Sequence, residues 1–314
     1  MVQQHKVYGA ADIFCLNVLD FNQRTMIKVS RLAVSEFLDE LIKWEADIVA
    51  VLIRNLKMKR LNVHQQAEYG NAMRCYLCRY DFKENETKGP KVRDHDHIIS
   101  DFLGSAHRQC NLERPVSFQI PVYFYNLCGY DSHLIVHEFK TRPNREIKVI
   151  GQNMEKYLQV QWGDDIVFCD SLQFLSASLE QLVVSLNMTS RDKFINLHKV
   201  ISITCLNSDV ALLERKGVFC CDYIDSFDRL DEPTLPNRKA FSNKLSGEEC
   251  SEADYAHAQH VWTEFNSKTL KDYMSLYLLS DIYLLADVFE TVQNKSHEEY
   301  QLDPAYYVSA PQLA

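Results

Sequence analysis

Cys75 and Cys78 stand three positions apart, and so do His107 and Cys110. Two short-spaced pairs of thiol or imidazole side chains deliver the four ligands of a tetrahedral zinc ion. The spacing therefore predicts a Cys3His zinc site from Cys75, Cys78, His107 and Cys110. Between the pairs runs Asp94-His95-Asp96-His97, and Asn111 directly follows the second pair. Carboxylate and amide oxygens suit a hard divalent cation, and a neutral imidazole suits proton abstraction near neutral pH. The stretch reads either as a zinc-held catalytic site or as a zinc knuckle that only folds its own segment, with the Asp-His run a solvated loop.

The flanking pattern predicts the elements that carry these residues. Residues 6–29 alternate apolar and β-prone side chains and read as strands. Leu32, Val34, Phe37, Leu38, Leu41, Ile42 and Trp44 recur at helical spacing, which predicts a helix over 31–53. Residues 83–91 form a polar loop with Gly and Pro. Gln119–Asn126 is nearly continuously apolar, as for a strand buried on both faces, and a helix opens at Ser132. Strands are expected at 147–150, 157–161 and 164–171, and a helix over 178–187. Residues 187–247 read as irregular, and long helices are expected over Ser251–Phe265 and Thr269–Glu299. The sum is a mixed α/β chain with a small zinc module spliced in.

Composition sets bounds. The chain has 314 residues, 46% apolar and 25% charged, as in a globular protein of one large or two ordinary domains. No stretch is apolar enough to span a bilayer, and the N-terminal MVQQHKVYGA lacks a signal-peptide core. An intracellular, nuclear rather than secreted protein, with no membrane partner, is expected. Ten cysteines are scattered, so reduced thiols are expected, with Cys169, Cys205, Cys220 and Cys221 as small buried hydrophobes. A net charge of −9 argues against a surface coated in positive potential, but leaves room for local basic patches. Arg54, Lys57, Lys59 and Arg60 form one run and Lys88, Lys91 and Arg93 another; each is a nucleic-acid contact or a solvated surface.

The CxxC, DHDH and HxxCN segments resemble the HNH nucleases of the recombination endonuclease VII type. There the second pair is CxxC, so His107 is a departure that zinc tolerates. The resemblance covers roughly residues 72–113 and implies a treble-clef ββα module. It also implies that Asp94 and Asn111 hold a catalytic Mg2+ or Mn2+ and that His95 deprotonates the attacking water.

A second constellation pairs Asn126-Leu-Cys-Gly-Tyr130-Asp131 with Tyr277-Leu-Leu-Ser-Asp281. Together they resemble the second and third exonuclease motifs of family B DNA polymerases. Longer runs, among them PVYFYNLCGYDSHLI and DYMSLYLLSDIYLLADVFE, resemble the protein-primed polymerases of Polinton (Maverick) transposons and related viruses. The resemblance covers most of 31–314. It implies a ribonuclease H-like (DnaQ-like) exonuclease domain with a mixed sheet and flanking helices. By that resemblance Asp131 and Asp281 bind divalent metal, Tyr277 orients the water, and Asn126, Ser171 and Leu172 contact a single-stranded DNA 3′ end. Ser171 also reads as a helix-capping residue ahead of core leucines.

Three regions are implied: 1–70, N-terminal strands and helix; 71–115, the zinc module; 116–314, the 3′–5′ exonuclease-like domain. The family's first exonuclease motif, DxE, is not found; Asp20-Phe21-Asn22 has the Asp without the Glu. The polymerase motifs DxxSLYP and DTD are not found either, so this chain alone is expected not to polymerise DNA. Implied partners are DNA, single-stranded or branched, and a terminal protein. The alternative from another class is a catalytically inactive, domesticated DNA-binding or interaction protein.

Overall fold

The computed structural model describes residues 9–14, 24–52, 56–83, 86–97, 100–113, 119–153, 156–189, 194–205, 208–242 and 247–313. Asp20 and Arg54 lie outside the described residues. In chain order the elements are β1 (Gly9–Phe14), β2 (Arg24–Val29), α1 (Ala33–Leu52), α2 (Val63–Asn71), β3 (Lys91–His95), β4 (Phe102–His107), α3 (Arg108–Glu113) and β5 (Ile120–Phe124). There follow α4 (Ser132–Glu138), β6 (Ile147–Gly151), β7 (Tyr157–Trp162), β8 (Ile166–Asp170), α5 (Leu179–Thr189), α6 (Ile195–Thr204), α7 (Glu252–Glu264) and α8 (Leu270–Tyr300). No described helix is long and apolar enough to cross a membrane.

The chain divides into two units, and the division falls within α1: residues 41–119 belong to the smaller unit and 120–314 to the larger. The smaller unit thus starts earlier than residue 71. The reason is backbone pairing. Leu56 N–H donates to His97 C=O at 2.8 Å and Lys59 N–H to Ser100 C=O at 3.0 Å. These bonds tie the segment after α1 to the β3–β4 turn. Within this unit β3 and β4 form an antiparallel pair from Lys91↔His107 to His95↔Phe102, and α3 follows β4 without a break.

In the larger unit a mixed sheet runs in the order β5-β8-β7-β6, with β5 parallel to β8 and the rest antiparallel. Every residue of β8 is buried. β5 is an edge strand with Pro121 exposed, so the continuous burial expected of β5 belongs to β8. An edge is where a proline, which cannot donate to a ladder, is tolerated. The Trp162 ring stacks on Phe139 at 4.8 Å, over the sheet. A second, helical core gathers Leu179, Val183 and Leu186 of α5, Leu197 and Ile201 of α6, and Tyr283, Leu284 and Val288 of α8. α7 and α8 start on Ser251 and Thr269, whose hydroxyls accept the N–H groups of Asp254 and Asp272.

The described residues within 187–247 hold more regular structure than their composition suggests. They contain α6 and short 3-10 turns at Val210–Leu213, Cys221–Tyr223, Phe227–Asp231 and Arg238–Phe241. No local side chain caps α6. Asp287 of α8 does it instead, accepting Asn196 N–H at 3.0 Å and Leu197 N–H at 3.2 Å. The described cysteines form no disulfide; Cys169 and Cys220 are buried, Cys205 is half-buried, and Cys221 is exposed rather than buried.

Candidate metal centre and nuclease residues

The first ligand pair sits on a tight knuckle. Cys75 N–H donates to Tyr80 C=O at 2.9 Å, and Arg79 N–H returns to Cys75 C=O at 2.9 Å. Arg79 takes a left-handed φ of 63° to close the turn. The second pair comes from a strand-to-helix junction: His107 ends β4 and Cys110 lies in the first turn of α3. The ligand atoms of Cys75, Cys78, His107 and Cys110 all lie within 4.8 Å of one another. A tetrahedron with Zn–S bonds of about 2.3 Å has edges of roughly 3.8 Å, so modest side-chain closure would wrap one ion. His107 turns Nδ1 to the sulfurs, 3.5 Å from Cys78 Sγ. Its Nε2 is buried, beside the Phe82 ring, without a hydrogen-bond partner among the described residues.

Electrostatics favour a cation here. Burial works to raise the Cys75 thiol, but N–H groups of Cys78, His107 and Leu77 aimed at its sulfur outweigh it and hold the pKa below the ordinary value. Cys78 is lowered too, burial being outweighed by the Tyr80 N–H and by hydrogen bonds from the Cys110 and Cys75 side chains. Cys110 is pushed up to about 11, by burial and by the neighbouring Cys78 and Cys75 sulfurs. Three adjacent thiols cannot all ionise unaided. A divalent cation removes that conflict, because it binds the thiolate form. The donor set fits zinc, which would be held by these four side chains.

The β3–β4 pair carries the Asp-His run. Asp94 is fully buried opposite Gly104, and the Tyr76 hydroxyl donates to its Oδ2 at 2.5 Å. Tyr76 lies between Cys75 and Cys78 in sequence. A Cβ at position 104 would sit 2.9 Å from the Tyr76 ring, so glycine is what lets the ring cross the strand. The ladder then bulges between Asp94 and His95. His95 Nε2 lies 3.0 Å from Leu56 C=O. A carbonyl only accepts, so Nε2 carries the proton and Nδ1 keeps the lone pair of the neutral ring. The His95 and His97 rings are 4.5 Å apart. Asn111 is half-buried on α3. Among the described residues the Cys3His set is the one group of three or more His, Cys, Asp or Glu side chains with converging ligand atoms, so Asp94 to His97 do not form a second.

Neither basic run is a bare positive stripe. Lys59 pairs with Asp101 at 2.8 Å. Lys91 donates to Gly70 C=O at 3.3 Å and Ala72 C=O at 2.8 Å, at the negative end of α2, and lies over the Tyr69 ring. Arg93 also stacks on Tyr69, and Lys88 on Tyr80.

In the larger unit, Asn126, two residues beyond β5, has a left-handed φ of 64°. A wide π-helical turn, Leu127–Asp131, follows. A Cβ on Gly129 would meet the exposed Asn126 side-chain amide at 2.6 Å. Asp131 is half-buried, and its pKa is raised to about 6 by burial and then by the charge of Asp170. Asp281 ion-pairs with Lys216 at 2.6 Å, and Lys216 also lies 5.5 Å from the centre of the Tyr277 ring. Burial and then the Asp281 charge push the Tyr277 phenol up. Among the described residues neither Asp131 nor Asp281 belongs to a group of three or more acidic, His or Cys side chains with converging ligand atoms. Ser171 is fully buried and its hydroxyl donates to Phe124 C=O at 2.9 Å; the cap of the turn is Asp170, which accepts Leu172 N–H, not Ser171. Leu172 is half-buried. Sequence reasoning missed Asp170 and Lys216. Only the folded chain shows what the charge of each faces.

Comparison of the chain with protein-family models, with curated proteins and with solved structures returns no match.

Proposed function

We propose that the chain is a nucleic-acid hydrolase of the protein-primed family B polymerase group. On this reading the larger unit is a ribonuclease H-like exonuclease region, and the smaller is a treble-clef HNH module of the endonuclease VII type. The Cys3His cluster carries the reading, because its His107–Cys110 pair directly follows the β3–β4 hairpin on which Asp94 and His95 lie. The substrate is DNA, branched or single-stranded, and the site of action the nucleus.

The chemistry assigned to His95 follows from its tautomer. With Nε2–H held by Leu56 C=O, Nδ1 can take a proton from water as the water oxygen bonds phosphorus. The phosphorus–oxygen bond to the leaving strand breaks in the same displacement. Asp94 and Asn111 would be the oxygen donors for Mg2+ or Mn2+, which would supply charge neutralisation on the phosphate.

The second reading is a DNA-binding protein without catalysis. It is favoured by the burial of Asp94 under Tyr76 and by the neutralisation of Asp281 by Lys216. Cleavage of branched and single-stranded DNA by the zinc-loaded chain, with Mn2+ and with His95→Ala alongside, separates the two. The hydrolase reading expects wild-type cleavage and a loss on the order of 10²–10⁴-fold in the variant. Binding without cleavage in both proteins supports the second.

A further inference from the structure

The parallel strands β5 and β8 end at the same level, Phe124 opposite Asp170. Ligands of open α/β sheets sit beyond such carboxyl ends, where loops diverge from rigid strands. Two turns leave this edge: Asn126–Asp131 after β5 and Ser171–Gln173 after β8. One side chain faces both.

Asp170 is 1% exposed. Its Oδ1 accepts Asn126 N–H at 3.0 Å and Leu172 N–H at 3.0 Å. Its Oδ2 accepts Cys128 N–H at 3.1 Å and the Gln173 side-chain amide at 3.3 Å. Both oxygens are thus engaged by donors from the two turns. The Ser171 hydroxyl adds a cross-link to the last carbonyl of β5, at 2.9 Å. A buried carboxylate persists only when its lone pairs are met by donors, and backbone N–H groups meet them in fixed directions. The carboxylate therefore dictates where the Asn126 backbone goes and where the turn to Asp131 begins.

We propose that Asp170 is the positioning residue that joins the Asn126–Asp131 and Ser171–Gln173 turns into one rigid edge for a single-stranded nucleic acid end. The assignment rests on the nucleic-acid reading above. Asp170 itself has no capacity left for a ligand; it acts through Asn126 and Asp131. The charge of Asp170 on Asp131 is a second link between the turns.

The test uses the full zinc-loaded chain, with Ca2+ in place of Mg2+ so that no DNA is cut. Fluorescence anisotropy with a labelled oligothymidylate reads binding by wild type, Asp170→Asn, Asn126→Ala and the double variant. The amide replaces one acceptor oxygen by a donor that opposes a turn N–H. Asp170→Asn should weaken binding roughly tenfold, the scale of one or two lost charge-assisted hydrogen bonds. The double variant should be no worse than the stronger single one, because both act through one edge. Amide exchange of the wild type should show Cys128 and Leu172 protected, and NMR titration should move the Asp131 pKa downwards in Asp170→Asn. If Asp170→Asn does not fold, Gln173→Ala removes only one donor to Oδ2 and should weaken binding two- to threefold. A wild type that binds while Asp170→Asn or, in its place, Gln173→Ala binds equally well overturns the assignment. Unprotected Cys128 and Leu172 amides overturn it too. A wild type that binds no oligonucleotide, with those amides protected, overturns the nucleic-acid reading instead.

Discussion

Replacing Asp287 by alanine should destabilise the larger unit in a pH-dependent way. The Asp287 carboxylate is 3% exposed and accepts three hydrogen bonds from the start of α6: Asn196 N–H at 3.0 Å, the Asn196 side chain at 2.9 Å and Leu197 N–H at 3.2 Å. Alanine leaves two helix N–H groups buried without an acceptor. Loss of a helix cap costs about 0.5–2 kcal/mol, and a buried orphan donor about 1–3 kcal/mol, so a total of about 2–3 kcal/mol is expected at pH 7. Burial raises the pKa of this group to about 6, against the N–H donors that oppose it. A carboxyl whose folded pKa lies above its unfolded value binds protons more tightly when folded. Its contribution is fully present below the unfolded pKa and is lost as pH rises through the folded one. Between pH 7 and pH 5 wild type should therefore gain about 1 kcal/mol relative to Asp287→Ala. Urea unfolding at the two pH values, with zinc held constant, reads the difference. A destabilisation below about 0.5 kcal/mol, or one that shrinks on acidification, would refute the reasoning.

Cys78→Ser should abolish zinc retention and expose the smaller unit to proteolysis, while the larger unit, with its own helical core, keeps its resistance; limited digestion with mass spectrometry follows both. In Gly129→Ala the added methyl meets only the exposed Asn126 side-chain amide, which can swing aside, so the urea midpoint should move by no more than about 0.5 kcal/mol in stability. Tyr76→Phe removes only the hydroxyl on Asp94, so zinc content should not change while stability falls by about 1–3 kcal/mol, seen in the same unfolding assay.

What the chain discloses without its fold depends on distance along it. The Cys3His cluster is legible because two pairs at fixed spacing each lie on one local turn, and the structure brings all four side chains together where they could hold a metal ion. α7 and α8 were legible because their caps, Ser251 and Thr269, are adjacent in sequence. α6 was not, because its cap is Asp287, on another helix. The apolar run of β5 reads as a buried strand, but burial depends on neighbours, and β5 lies at the sheet edge while β8 is covered on both faces. Lys91 reads as part of a basic run; its ammonium is held by the Gly70 and Ala72 carbonyls at the end of α2, a contact across many residues of sequence. Charges that face one another across the fold, such as Lys216 and Asp281, leave no periodic trace.

X-ray absorption at the zinc edge on the purified chain, with metal counted per polypeptide, tests the central claim most directly. The account predicts about one zinc per chain in a shell of three sulfurs near 2.3 Å and one nitrogen near 2.0 Å, with a sulfur lost in Cys110→Ser. A chain that folds with no bound zinc, or a shell of oxygens, would contradict it.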